Sequence, residues 1–190
     1  MAADPDAPFA RVWLGARYVL RPVGRIALRP RVAGRERIPA RGGAVIACTH
    51  VGLLDVLLVT QVLRRPTRFM AAAGVFRIPL VGAILRASGC FAVRRGERDT
   101  ASVRQAIEIA RAGGLVGIFP QGGLRHGTGL DELHRGAAMI ALRAGVPLVP
   151  VGIGRGPAFV RVGEPLAPEG DARTLTAALS AALAVLVSPR

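Results

Sequence analysis

Apolar and polar positions follow two rhythms along the chain. Short apolar, β-rich runs predict strands at residues 44–48, 68–72, 89–93, 115–119, 148–153 and 159–162. Longer runs with helical spacing predict helices at 53–63, 80–88, 100–112, 133–144 and 172–187, with another at 9–21 that Pro22 should end. Strand and helix alternate, so the expected fold class is α/β: a single domain with a mixed, largely parallel sheet flanked by helices. Ligands of such sheets gather at the carboxyl ends of the strands. Pro150, inside a predicted strand, argues for an edge strand or a bulge. The pattern shows no repeat, no low-complexity linker and no second core.

The first predicted helix is amphipathic. Phe9, Val12, Trp13, Ala16, Val19 and Leu20 share one face, while Arg11, Arg17 and Arg21, with Arg25 beyond the proline, lie mostly on another. Such a helix suits the surface of an anionic membrane, and equally a helix packed on its domain with solvated arginines. The expected organisation is a basic, membrane-associating segment at 1–33 and a globular domain at 34–190. No apolar run is long enough to span a bilayer: 42–63 carries His50 and Asp55, and 174–189 is uncharged but short. The opening MAADPD is acidic and unlike a secretory signal. The expected location is therefore peripheral, on the cytoplasmic face of a membrane.

Charge narrows the partners. The 190 residues carry a formal charge of +14, and every basic residue is arginine. Compositional bias accounts for arginine over lysine, but not for the excess of basic over acidic groups. That excess favours an anionic partner such as phospholipid, nucleic acid or a phosphorylated substrate. One Trp and one Tyr make a poor base-stacking platform, and no nucleic-acid motif is present, so no nucleic acid is expected. Cys48 and Cys90 form neither a disulfide framework nor a zinc site, and no metal is expected.

Four stretches carry candidate chemistry. His50 and Asp55 interrupt the apolar ACTHVGLLDVLL at a strand-to-helix turn. Asp55 would complement the helix dipole there. It would also orient His50 as a proton acceptor, since a carboxylate on one ring nitrogen fixes the tautomer. In SGCFAVRRGERD, a strand runs into Arg94, Arg95 and Arg98, a solvated loop or a phosphate clamp. In LVGIFPQGGLRHG, a strand stops at Pro120 and enters a turn in which Gly122, Gly123 and Arg125 can approach an anion. The fourth stretch, AGVPLVPVGIG, reads as helix end, turn and strand. His126 and His134 stand beside charged neighbours and read as surface residues.

The order of these stretches resembles the four motif blocks of the glycerolipid acyltransferase family, which includes the 1-acylglycerol-3-phosphate acyltransferases. The blocks fall on His50-x-x-x-x-Asp55, Gly89-Cys-Phe-Ala-Val-Arg-Arg95, Phe119-Pro-Gln-Gly122 and Val146-Pro-Leu-Val-Pro150. The resemblance implies that His50 is the general base, that Asp55 orients it, and that 34–190 is the acyltransferase domain. It places Arg95 on the acceptor phosphate, with Gln121, Gly122, Gly123 and Arg125 beside it, and Phe119, Pro120 and Pro150 around the acyl donor or acceptor. The third block departs from the family's F-P-E-G-T-R: Gln121 is uncharged, Leu124 stands at the arginine position, and Arg125 follows one place late. The implied reaction moves an acyl group from acyl-CoA or acyl carrier protein to a lysophospholipid hydroxyl, with no cofactor. The departure leaves room for another hydroxylated lipid or metabolite as acceptor, or for a non-catalytic lipid-binding protein on the same fold. Donors of the glycine-rich turn would face a developing oxyanion.

Overall fold

The run Ala44–Cys48 (β2) is buried at every position, as a strand covered on both faces requires. Val45 and Ala47 point to one apolar cluster; Ala44, Ile46 and Cys48 point to the other. The computed structural model describes residues 7–50, 55–93, 100–122, 133–155 and 158–188. Around β2 lie Arg31–Ala33 (β1), Thr67–Ala72 (β3), Phe91–Val93 (β4), Leu115–Ile118 (β5), Leu148–Arg155 (β6) and Ala158–Val162 (β7). They form one sheet in the order β1-β7-β6-β2-β5-β3-β4. Neighbours run parallel except β6 and β7, whose antiparallel pairing makes the sheet mixed.

Helices cover both faces. On one, Thr100–Arg111 (α4), Gly136–Ala144 (α5) and Ala172–Val187 (α6) bury Ala106, Ile140 and Leu179 against Val45, Val116 and Leu148. On the other, Ala7–Leu28 (α1) and Asp55–Val59 (α2) bury Trp13, Leu58 and the adjoining Val62 against Ile46, Val149 and Val151. Pro79–Ala87 (α3) connects β3 to β4. A 3-10 turn at Ala73–Arg77 leaves β3 at the same sheet end at which β2 finishes.

Several sequence expectations change. The strand at 31–33 was not expected; three exposed residues carry no apolar pattern, and pairing with β7 alone defines it. The first helix does not stop at Pro22 but continues to Leu28. Pro22 leaves the Tyr18 carbonyl without a donor, yet both residues are exposed, so water can serve it. The helix expected at 53–63 is Asp55–Val59, after which tight i→i+3 bonds, Gln61 N–H to Leu58 O and Val62 N–H to Val59 O, turn the chain.

Pro150 is not on an edge, because β6 lies between β2 and β7. Its odd-numbered neighbours Pro147 and Val151 accept from β2, so position 150 faces the β7 side. There β7 has ended at Val162, and Gly163 N–H donates to Pro150 O at 2.9 Å. The missing N–H of Pro150 removes the reciprocal bond to Gly163 O, and the β6–β7 ladder ends at that pair.

Candidate active site

Thr49 and His50 leave the carboxyl end of β2. Thr49 N–H donates to Val151 O at 3.0 Å, and the Thr49 hydroxyl accepts from Ile153 N–H at 2.8 Å. These bonds tie the strand end to β6 and fix where the next residue stands. His50 N–H then donates to Gln121 Oε1 at 2.6 Å. Asp55 opens α2, and its Oδ2 lies 2.8 Å from His50 Nδ1. The Asp55 side chain is fully buried, whereas that of His50 retains 18% exposure. A buried carboxylate on Nδ1 holds the proton there and leaves Nε2 as the basic nitrogen.

The ring of His50 stacks on Phe119, with centroids 4.3 Å apart, and Phe119 stacks on Phe69 of β3 at 5.6 Å. Phe69 finds its place because β5 has glycine at 117; a Cβ there would strike the Phe69 ring. The imidazole is thus held by a carboxylate at one nitrogen, an aromatic face, and a bond to its own backbone. The arrangement holds the ring in one orientation at the sheet end where α/β domains place their ligands, and a histidine so held can accept a proton.

The third motif forms the wall beside it. Gly122 N–H donates to Phe119 O at 3.1 Å and His134 N–H donates to Pro120 O at 2.8 Å, closing a turn. Gly122 has φ +70, and a Cβ on it would strike the His134 ring, so glycine is required twice over. Its N–H is taken up by the turn and is not an oxyanion donor. Gln121 is 7% exposed with its side-chain oxygen on His50 N–H, so it braces the His50 backbone. The structure brings together His50, Asp55, Phe119, Pro120, Gln121 and Gly122. It does not bring Pro150 to them: by strand alternation its ring shares the face of Leu148, not that of Val149 and Val151, and meets Gly163. Arg95, Gly123 and Arg125, with Arg94, Arg98, Leu124 and His126, lie outside the described residues.

Sequence reading missed Thr49 and Phe69. Thr49 precedes the histidine and is the first polar residue after an apolar strand, which was the available signal; Phe69 carried none. Cys48 lies two residues from His50 but is fully buried, and burial, with Asp55 nearby, pushes its thiol pKa upward. It stays protonated at neutral pH and is no candidate for a covalent acyl carrier.

The sequence model of the family described as Acyltransferase matches residues 29–154. A 1-acyl-sn-glycerol-3-phosphate acyltransferase of Bacillus subtilis is 36% identical over 124 residues, covering 63% of this chain and 60% of that protein. A protein of the same description from Borreliella burgdorferi is 31% identical over 122 residues, covering 63% of this chain and 49% of the relative. The matched region therefore spans about half to three fifths of these relatives. The crystal structure of the 1-acyl-sn-glycerophosphate acyltransferase PlsC from Thermotoga maritima superposes with a TM-score of 0.71 at 22% identity, covering all of this chain and 86% of the other. That likeness establishes the fold.

Proposed function

The chain belongs to the acyltransferase family, and from that premise we propose that it moves an acyl group from a thioester donor to the free hydroxyl of a lysophospholipid. The acceptor we favour is 1-acylglycerol-3-phosphate, giving phosphatidic acid, with acyl-CoA or acyl carrier protein as donor. The observation that carries the reading is the 2.8 Å contact from Asp55 Oδ2 to His50 Nδ1 at the carboxyl end of β2. His50 Nε2 takes the acceptor proton as the oxygen attacks the thioester carbonyl. The new C–O bond forms, the C–S bond breaks, and the proton passes from His50 to the departing thiolate. Asp55 keeps its negative charge and stabilises the imidazolium between these steps.

Arg95 and Arg125 supply the charge for an acceptor phosphate, for which a guanidinium fork is suited. Phe119 and Pro120 border the reacting groups. One observation favours a second reading: Gln121 is neutral and occupied with His50 N–H, so a less charged hydroxylated lipid would meet a weaker anion site. The enzyme works at an anionic membrane as a peripheral protein. Support comes from the arginine excess and from the exposed apolar side of α1; no helix of the described residues is long and apolar enough to cross a membrane.

The test is a screen of acyl-CoA and acyl carrier protein against phosphate-bearing and phosphate-free lysolipids, with products identified by mass spectrometry. His50→Ala should lower the rate about 10² to 10⁴-fold while the circular dichroism spectrum is kept. Full activity in the folded variant would falsify the base assignment.

A further inference from the structure

Four arginines meet where no described carboxylate answers them. Arg17 and Arg21 stand one turn apart on α1 and are half-buried. Gln61 Nε2 donates to Arg21 O at 3.0 Å, which ties this part of α1 to the chain leaving α2, where Arg64 follows. Arg65 then donates to Pro39 O at 3.1 Å, to Gly42 O at 2.8 Å and to Gly113 O at 2.6 Å. Those carbonyls lie before β2 and β5, at the end of the sheet opposite His50. Pro39 closely follows the 3-10 turn Arg35–Arg37, which brings Arg35 to the same corner.

The corner has the chemistry of an anion site. Arg17 Nε and Arg35 Nε are buried and have no hydrogen-bond partner among the described residues. Leaving a buried donor unsatisfied is costly, most of all on a charged group. Arg17 Cζ lies 5.6 Å over the Trp13 ring, so its guanidinium plane is already set. Burial, then repulsion from the neighbouring arginines, lowers the pKa of both Arg21 and Arg35. The nearby carboxylate of Glu164 is engaged with Arg37 at 2.8 Å.

We propose that Arg17, Arg21, Arg35 and Arg64 form a binding site for the phosphate of an anionic phospholipid headgroup, separate from the acyl-transfer centre. Phosphate offers several acceptors to several guanidinium donors at once. A lipid is favoured over a free anion because the arginine flank of α1 adjoins its exposed apolar face, with Tyr18 at 76% and Ile26 at 74% exposure. A helix resting in the interface puts such residues among acyl chains and the flanking arginines at headgroup depth. The inference rests on the reading that the protein works at an anionic membrane.

The experiment measures co-sedimentation of the full chain with phosphatidylcholine vesicles, with and without phosphatidylglycerol, at constant ionic strength and without acyl donor. Arg21→Gln with Arg35→Gln should weaken binding to phosphatidylglycerol vesicles by about thirtyfold, two arginine contacts' worth. A control, Arg104→Gln with Arg173→Gln, removes the same charge from exposed positions on α4 and α6 and should bind nearly as the parent does. If the double variant fails to fold, exposed Arg64→Gln alone should cost about fivefold. Equal losses in variant and control would reduce the effect to net charge and overturn the site. So would an undiminished double variant. Displacement by inorganic phosphate at constant ionic strength would assign the corner to free phosphate and overturn the lipid. A parent that ignores phosphatidylglycerol would remove the membrane reading and the proposal with it. Transfer to a soluble short-chain acceptor, measured separately, tells either failure from failure of the acyltransferase reading.

Discussion

Asp55 is a carboxylate with no exposed surface, and the 2.8 Å contact to His50 Nδ1 is one use for it. Burying a charge is tolerated where it is paired and hydrogen-bonded. Asp55→Asn keeps the shape but can donate to Nδ1, which favours the wrong tautomer. We expect kcat to fall by roughly 10² to 10⁴-fold with little change in KM. A rise in KM alone would make Asp55 a substrate-binding residue. Gln121 gives a second contrast, because its oxygen is what holds the His50 backbone at 2.6 Å. Gln121→Glu keeps an acceptor and should hold activity within about tenfold, whereas Gln121→Ala leaves a partly buried N–H unmet and should lose more. Steady-state kinetics on the two variants decide it, and equal rates would remove the brace. At this scale the sequence made His50 and Asp55 legible, since polar residues in an apolar run need a reason. The partner of Gln121 was not legible, because residues 71 apart meet only through the pairing of β2 with β5.

Elements were legible where their apolar pattern was strong. β2 and α6 run between the residues expected of them, because β2 is apolar throughout and α6 repeats buried leucines at 175, 179 and 183 with helical spacing. β1 was invisible because its three residues are exposed and only its pairing with β7 makes it a strand. The two prolines misled for a common reason: each removes a donor, and the fold puts each where the loss is tolerated, at an exposed helix turn and at the end of a ladder. Pro22 sits on the exposed side of α1, and Pro150 faces the place where β7 has ended. β5 shows how an element can order the site at one remove. Gly117 makes room for Phe69, Phe69 stacks on Phe119, and Phe119 stacks on His50. Gly117→Ala would push the first ring and disturb the stack. It should cost about 1 to 3 kcal/mol in stability, as overpacking does, and also lower kcat. Denaturant unfolding with kinetics on the same protein checks this; a stability loss with kcat unchanged would show that the stack does not position the base.

On the scale of the whole molecule, large apolar side chains of α1 and of the segment that follows β3 stay exposed. α1 is packed through Trp13, yet part of its expected apolar face looks outward. Phe9, Trp13 and Leu20 turn toward the domain, while Val12 and Val19 face solvent beside Tyr18, Val23 and Ile26. Val75, Ile78 and Val81 add exposed apolar surface where the chain leaves β3, at the end of the sheet that holds His50. Exposed apolar side chains beside arginines suit contact with an anionic interface. Removing α1 outright would also uncover Trp13's cluster, so a deletion confuses binding with folding. Tyr18→Ser, Val19→Ser and Ile26→Ser together spare the packed face and remove only outward groups. Each lost side chain should remove a part of its burial free energy at the interface, so binding to anionic vesicles should fall at least about tenfold. Transfer to a bilayer-resident acceptor should fall with it, because on the proposed function such an acceptor would reach His50 only from a bound enzyme. Transfer to a soluble short-chain acceptor should not, because the substituted residues lie on α1 and not in the His50–Asp55–Phe119 arrangement. Equal losses on both acceptors would trace the effect to the fold, and no loss on either would mean that α1 does not carry the protein to its lipid.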